Sequence, residues 1–72
     1  MQKEWGEIMK NRVKEYREKY NMTQEELAVK SEVSRNTISN IETDVNTNIT
    51  YKVMEKIANA LNEKVAVIFF NN

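Results

Sequence analysis

The sequence predicts an all-α fold, and three features of its 72 residues support this class. Proline is absent and the only glycine is Gly6, so the residues that build turn-rich β architectures are missing. Apolar residues recur at steps of three and four along most of the chain, which is the period of an amphipathic helix. Threonine or serine precedes several of these stretches, where a helix N-cap is expected.

The first predicted helix carries one apolar stripe on an otherwise charged surface. Its stripe consists of residues spaced three to five apart: Trp5, Ile8, Met9, Val13, Tyr16 and Tyr20. Lysine, arginine and glutamate fill the other positions and predict a solvated face. Asn21 ends this helix.

The second predicted helix spans Gln24–Ser31 and opens with a capping box. Thr23 and Glu26 have the S/T-x-x-E spacing, in which each side chain bonds a backbone N–H of the other residue. Met22 precedes the cap and is placed to pack against Leu27 as a hydrophobic staple.

The third predicted helix follows after a tight connection. Ser34 is its expected N-cap, Glu42 its last residue, and Ile38 and Ile41 its only apolar members. A narrow apolar stripe under a broad polar surface predicts a helix that packs along one edge and offers the rest to a polar partner. The spacing of these two short helices predicts a helix-turn-helix.

A fourth helix and a strand complete the prediction. Thr50 is the expected cap of a helix that Asn62 ends, with apolar residues at three- and four-residue steps: Val53, Met54, Ile57, Ala58 and Leu61. Six apolar residues, many of them β-branched or aromatic, then run from Val65 to Phe70 and predict a short C-terminal β-strand. The predicted division is a helical domain over 1–62 and a C-terminal element over 63–72.

The composition excludes several classes of function. The chain has no cysteine and no histidine, which excludes disulfides, cysteine or histidine zinc sites and Ser-His or Cys-His catalysis. We predict no enzyme activity, no metal and no cofactor. No apolar run approaches the roughly 20 residues of a membrane span, so we predict a cytoplasmic protein without membrane contact. The net charge is zero, so binding to a polyanion has to depend on the local distribution of charge.

Four stretches of the chain form a recognisable pattern. They are Val13-Lys14-Glu15-Tyr16-Arg17, Met22-Thr23-Gln24-Glu25-Glu26-Leu27-Ala28, Val33-Ser34-Arg35-Asn36-Thr37-Ile38-Ser39-Asn40-Ile41-Glu42 and Ile57-Ala58-Asn59-Ala60-Leu61. In these stretches the chain resembles the Cro/phage-repressor (XRE) family of helix-turn-helix DNA-binding domains. The resemblance implies a four-helix, lambda-repressor-like domain that binds double-stranded DNA. It also implies a small, repressor-like transcriptional regulator of a bacterial, phage or mobile-element operon.

The resemblance also assigns roles to individual residues. Arg35, Asn36 and Asn40 match positions that reach base edges in the major groove, where arginine suits guanine and asparagine suits adenine. Gln24, Ser34, Thr37 and Ser39 are expected to contact phosphate or sugar. Arg17 and Glu42 match a pair that ties the first helix to the recognition helix in several family members.

Two positions depart from the family pattern. Glu32 occupies the turn position that glycine usually holds, so the turn has to adopt a left-handed or altered conformation without glycine. Thr43 and Asp44 follow Glu42, where the family often has Asn/Asp-Gly.

The C-terminal apolar segment leaves three interpretations open. The first is a homodimer in which the strand pairs with its own copy, with Val65, Val67, Ile68, Phe69 and Phe70 in the interface. The second is a tail or helical extension that packs on its own domain. The third is a protein partner, as in an antitoxin-like or antirepressor-like interaction module.

Overall fold

The computed structural model describes residues 11–43 and 48–70, and in these residues the regular elements are five α-helices. They are α1 (Val13–Lys19), α2 (Gln24–Ser31), α3 (Arg35–Thr43), α4 (Tyr51–Ala60) and α5 (Val65–Phe69). The all-α prediction is confirmed, as are α2, α3 and α4 to within about two residues. The predicted stripe residues Trp5, Ile8 and Met9 lie outside the described residues.

Side chains cap the starts of α2 and α4 as the sequence predicts. Thr23 Oγ1 accepts from the backbone N–H of Glu26 at 3.0 Å, and Glu26 Oε1 accepts from the N–H of Thr23 at 2.8 Å. This reciprocal pair completes the capping box of α2. Thr50 Oγ1 accepts from the N–H of Val53 at 3.2 Å and caps α4.

Three helices end in the same way, with one left-handed residue that is not glycine. Asn21, Glu32 and Asn62 have φ angles of 57°, 62° and 60° and follow α1, α2 and α4. After each, the next N–H bonds a carbonyl five residues back, as in Met22 to Arg17 at 2.9 Å. This is the Schellman motif, which reverses the chain sharply. Sharp reversals allow three short helices to fold back onto one core.

All five helices contribute to one hydrophobic core. Its members are Val13, Leu27, Val33, Ile38, Ile41, Ile57, Ala58, Ala60, Leu61 and Ile68. The largest fully buried side chains include Leu27, Ile38 and Ile57, which come from three different helices. A chain of this length has a small core, so each of these side chains contributes a large part of the free energy of folding.

The predicted C-terminal strand is wrong, because Val65–Phe69 forms helix α5. Ile68 is fully buried in the core of its own chain, and the backbone N–H of Arg12 donates to Ile68 O at 2.8 Å. A strand cannot pair with its copy here, since this segment is helical and docked on its own domain. Of the three interpretations of this segment, the structure agrees with the second, a helical extension that packs on its own domain.

The apolar run does not distinguish a strand from a helix by itself. A short apolar segment adopts the secondary structure that buries its side chains best. Here a helix packs against α1 and α4 and buries Ile68 between them and itself. None of the helices among the described residues has the length and apolarity needed to cross a membrane.

Candidate nucleic-acid interface

Helix α3 is fixed by its inner face and presents its outer face to solvent. Ile38 and Ile41 are buried, and Val33 is buried in the turn before the helix. The turn itself is formed by Glu32 in the left-handed conformation, with φ 62° and ψ 34°. The sequence departure at this turn is therefore accommodated by the backbone, and α2 and α3 keep helix-turn-helix geometry.

The three residues predicted to reach base edges all lie on the exposed side of α3. Arg35, Asn36 and Asn40 are exposed, and Asn36 and Asn40 are one turn apart on the same face. Their amide and guanidinium groups are the types that bond base edges in a major groove.

The residues predicted to contact phosphate or sugar are partly engaged within the protein. Ser34 Oγ accepts from the N–H of Thr37 at 3.1 Å and donates to Thr37 Oγ1 at 2.8 Å. This pair caps the start of α3, as the sequence predicted for Ser34. Ser39 is half-buried, and its carbonyl accepts from Thr43 Oγ1 at 2.9 Å.

The Arg17–Glu42 pair expected from the family resemblance is present and largely buried. Arg17 Nε donates to Glu42 Oε2 at 2.7 Å, and Nη2 donates to Oε1 at 3.1 Å. The side chains are 10% and 2% exposed. These hydrogen bonds with Glu42 raise the pKa of Arg17 above its usual value, against the opposing effect of burial. The forked geometry fixes α1 to the end of α3.

Two further contacts join this pair to the start of α2. Arg17 Nη1 donates to the carbonyl of Met22 at 2.7 Å, and Gln24 Nε2 donates to Glu42 Oε1 at 3.0 Å. The sequence did not predict the Gln24–Glu42 bond. The two residues are 18 positions apart, and no periodicity indicates such a contact. The resemblance named both residues separately but did not connect them.

The pairing of Glu42 determines the charge of the α3 surface. Glu42 is the only acidic residue in the sequence of α3, and its carboxylate faces Arg17 inside the protein. The outer face therefore carries the positive charge of Arg35 among neutral amides and hydroxyls. The face of α3 itself therefore adds no negative charge toward a polyanion, although the whole chain has no net charge.

No cluster of three or more potential metal ligands occurs in the part of the chain that the structure describes. Every fully buried side-chain nitrogen or oxygen among the described residues has a hydrogen-bond partner. The exposed side of α3 is a polar surface on a fixed helix pair.

Two helices joined by a sharp turn, with the second helix exposing bidentate hydrogen-bonding side chains, define a helix-turn-helix domain. The family described as Helix-turn-helix matches residues 13–68. The chain belongs to this family, in its XRE type, whose members are DNA-binding transcription regulators and not a class of enzymes.

Two individual proteins are similar to this chain. It is 46% identical over 61 residues to an uncharacterized HTH-type transcriptional regulator of Archaeoglobus fulgidus, covering 85% of this chain and 84% of that protein. It also resembles a chain of a SinR protein/SinI protein complex, with a TM-score of 0.72 and 32% identity. That likeness covers 82% of this chain and 56% of the solved chain, so this protein spans little more than half of its structural neighbour.

Proposed function

We propose that this protein binds a specific double-stranded DNA sequence as a dimeric, repressor-like regulator of a bacterial, phage or mobile-element operon. Helix α3 enters the major groove, and Arg35, Asn36 and Asn40 bond base edges. Gln24, Ser34, Thr37 and Ser39 contact the sugar-phosphate backbone on either side.

The observation that carries this proposal is the surface of α3. Its inner face is anchored by buried Ile38 and Ile41, and its one carboxylate is withdrawn into a pair with Arg17. The outer face is left with one positive charge and several hydrogen-bonding groups. This combination supports base reading, because base edges need directed donors and acceptors and phosphates disfavour nearby negative charge.

The protein's dimeric state is part of the proposal. A single short helix reads few base pairs, and two-fold symmetry doubles the site and matches a pseudo-palindromic sequence with half-sites about 34 Å apart. Phe70 is 58% exposed, and Val65, Val67 and Phe69 are half-buried, so apolar surface remains around α5. We infer that a helical α5 contributes this surface to the dimer, with Ile68 supporting it from the core.

A role in binding another protein is the second candidate. The observation that favours it is that the structural neighbour is found in a complex of SinR protein with SinI protein. The exposed apolar surface around α5 that supports a dimer also supports a heterologous partner, and the mass of the purified protein distinguishes the two.

The proposal is tested by selecting ligands from randomised duplex DNA at low and moderate salt. We expect enrichment of a palindrome with half-sites about one helical turn apart, and affinity that falls as salt rises. A variant with Arg35, Asn36 and Asn40 changed to alanine is expected to enrich nothing, whereas Asn59→Ala, on the exposed surface of α4, is expected to select the same palindrome. A flat selection for the unaltered protein contradicts sequence-specific binding and favours the protein-partner role.

A further inference from the structure

We propose that Glu42 is a positioning residue that aims the side-chain amide of Gln24 at a DNA phosphate. This inference rests on the proposed DNA-binding function and adds a residue that does not itself touch DNA. Glu42 lies at the end of α3, while Gln24 is the first residue of α2. The hydrogen bond between them thus connects the recognition helix to the helix that approaches the backbone.

The orientation of the Gln24 amide follows from the chemistry of its partner. A carboxylate accepts hydrogen bonds and an amide nitrogen donates them, so the amide has to present its nitrogen to Glu42 Oε1, 3.0 Å away. The amide nitrogen carries two protons, and Glu42 takes one of them. Without Glu42 the free protein no longer fixes this orientation, and a rotated amide presents its carbonyl oxygen, which cannot donate to a phosphate.

The second amide proton is not the only unused donor at the start of α2. Gln24 Nε2 has no second acceptor within the described residues, and Gln24 is only half-buried. The backbone N–H groups of Gln24 and Glu25 also have no acceptor in the described part of the chain, because the first turn of a helix leaves its N–H groups without intrahelical partners and the capping box satisfies only those of Thr23 and Glu26. A phosphate at this helix start can accept hydrogen bonds from the amide and from these backbone N–H groups.

Arg17 keeps this arrangement rigid. It occupies both oxygens of Glu42 and also holds the carbonyl of Met22, just before the cap of α2. The position of the Gln24 amide is therefore fixed relative to both helices of the motif. A phosphate contact that is fixed in this way sets the depth and angle at which α3 enters the groove.

The test is a double-mutant cycle measured on a mixed-sequence duplex of about 20 base pairs, a probe that reports phosphate contacts and not base reading. Gln24→Ala is made in the natural chain and in an Arg17→Met/Glu42→Leu background, where apolar side chains replace the buried pair. We expect Gln24→Ala to weaken binding about tenfold in the natural chain and less than about twofold in the altered background. Equal losses in the two backgrounds overturn the positioning role.

A conservative variant covers the case in which the altered background does not fold. Glu42→Gln keeps the shape of the side chain and replaces the charged acceptor by a neutral one, so the loss caused by Gln24→Ala is expected to fall to about threefold. A tenfold loss that survives Glu42→Gln overturns the inference. Glu55→Gln, at an exposed carboxylate on α4, is the matched control and is expected to leave the tenfold loss unchanged.

The chemical shifts of the Gln24 side-chain amide, measured by nuclear magnetic resonance, test the inference separately from stability. A purely structural role of Glu42 does not predict that DNA shifts these signals. The chain has two glutamines, Gln2 and Gln24, and the side-chain amide signals that disappear in Gln24→Ala are assigned to Gln24. We expect one Gln24 amide proton to be shifted by Glu42 in the free protein, and the other to move when the duplex is added. Movement of neither proton on adding DNA overturns the inference.

The outcomes separate this inference from the proposed function. A protein that binds no duplex at all contradicts the proposed function, and the inference fails with it. A protein that selects a palindrome but tolerates Gln24→Ala without loss keeps sequence-specific DNA binding, and overturns both the phosphate contact of Gln24 and the role of Glu42.

Discussion

Arg17 holds the motif together, and the chemistry of one buried guanidinium explains how. Its three guanidinium nitrogens donate to Glu42 and to the carbonyl of Met22. Arg17 therefore connects α1 both to the start of α2 and to the end of α3. Burying two charges costs hydration energy, and a forked geometry with an extra hydrogen bond offsets that cost. Removing Glu42 leaves the buried Arg17 with the Met22 carbonyl and the more distant, exposed carboxylate of Glu18 at 3.9 Å, neither of which replaces the forked pair.

We expect Glu42→Ala to lower the free energy of unfolding by about 3–5 kcal/mol, because Arg17 is then a buried charge without its carboxylate. Replacing both partners, as in Arg17→Met/Glu42→Leu, is expected to leave the free energy of unfolding nearly unchanged, since no charge remains to be paired. Urea unfolding followed by circular dichroism measures both. A loss below about 1 kcal/mol for Glu42→Ala would show that the pair is unimportant for stability. Glu55→Ala, which removes an exposed carboxylate, is the control and is expected to change the free energy of unfolding little.

The helix ends determine how the elements fit together. Each Schellman turn needs a left-handed residue, and asparagine tolerates this conformation better than most non-glycine residues. Asn21 and Asn62 meet that requirement, whereas Glu32 pays a steric cost in the turn that joins α2 to α3.

Glu32→Gly is therefore expected to raise the free energy of unfolding by about 1 kcal/mol, because glycine adopts the left-handed conformation without a Cβ clash. Asn62→Gly is the matched change at the end of α4 and is expected to raise it by less than about 0.5 kcal/mol. Thermal unfolding of the two variants measures the difference. Destabilisation by Glu32→Gly would mean that the glutamate side chain contributes more than its conformation costs.

Local signals predicted most of the elements, and the prediction that failed concerned a segment without a helix-capping signal. Thr23, Glu26 and Thr50 identify helix starts by side-chain chemistry that acts within three residues. Val65–Phe69 has no side-chain cap, and its β-branched residues favour a strand by propensity. Its helix depends on contacts with α1 and α4, which are distant in sequence.

The same reasoning applies to the exposed face of α3. The residue types of α3 predicted which side of the helix is polar and exposed, and the structure places Arg35, Asn36 and Asn40 on that side. The Gln24–Glu42 contact depends on how α2 and α3 pack, so the sequence alone did not predict it.

Ile68→Ala is expected to lower the free energy of unfolding by about 2–5 kcal/mol, because this side chain is fully buried in the core. Phe70→Ala, two residues later and mostly exposed, is expected to change it by less than about 0.5 kcal/mol in a dilute solution of the protein. Chemical unfolding measures both values. An Ile68→Ala variant as stable as the natural chain would contradict the docking of α5 on its own domain.

At the scale of the whole molecule, apolar surface around α5 and a neutral overall charge favour association of two copies. We expect sedimentation equilibrium to give the mass of a dimer, and Phe70→Asp to shift it toward the 8.5 kDa monomer because a carboxylate would be buried in the interface. Lys64→Asp, on the exposed residue before α5, is the matched control and is expected to leave the dimer intact. A monomeric natural protein at micromolar concentration would contradict the dimer.

The claim that α3 reads base sequence is tested most directly by how well one variant distinguishes the selected DNA sequence from a scrambled one. Affinity is measured for the selected palindrome and for a scrambled duplex of equal length, with Asn40→Ala and with the control Asn59→Ala. We predict that Asn40→Ala costs about 1–3 kcal/mol on the palindrome and little on the scrambled duplex, while the control changes neither. Equal losses on the two duplexes would show that Asn40 does not read sequence and would contradict the account.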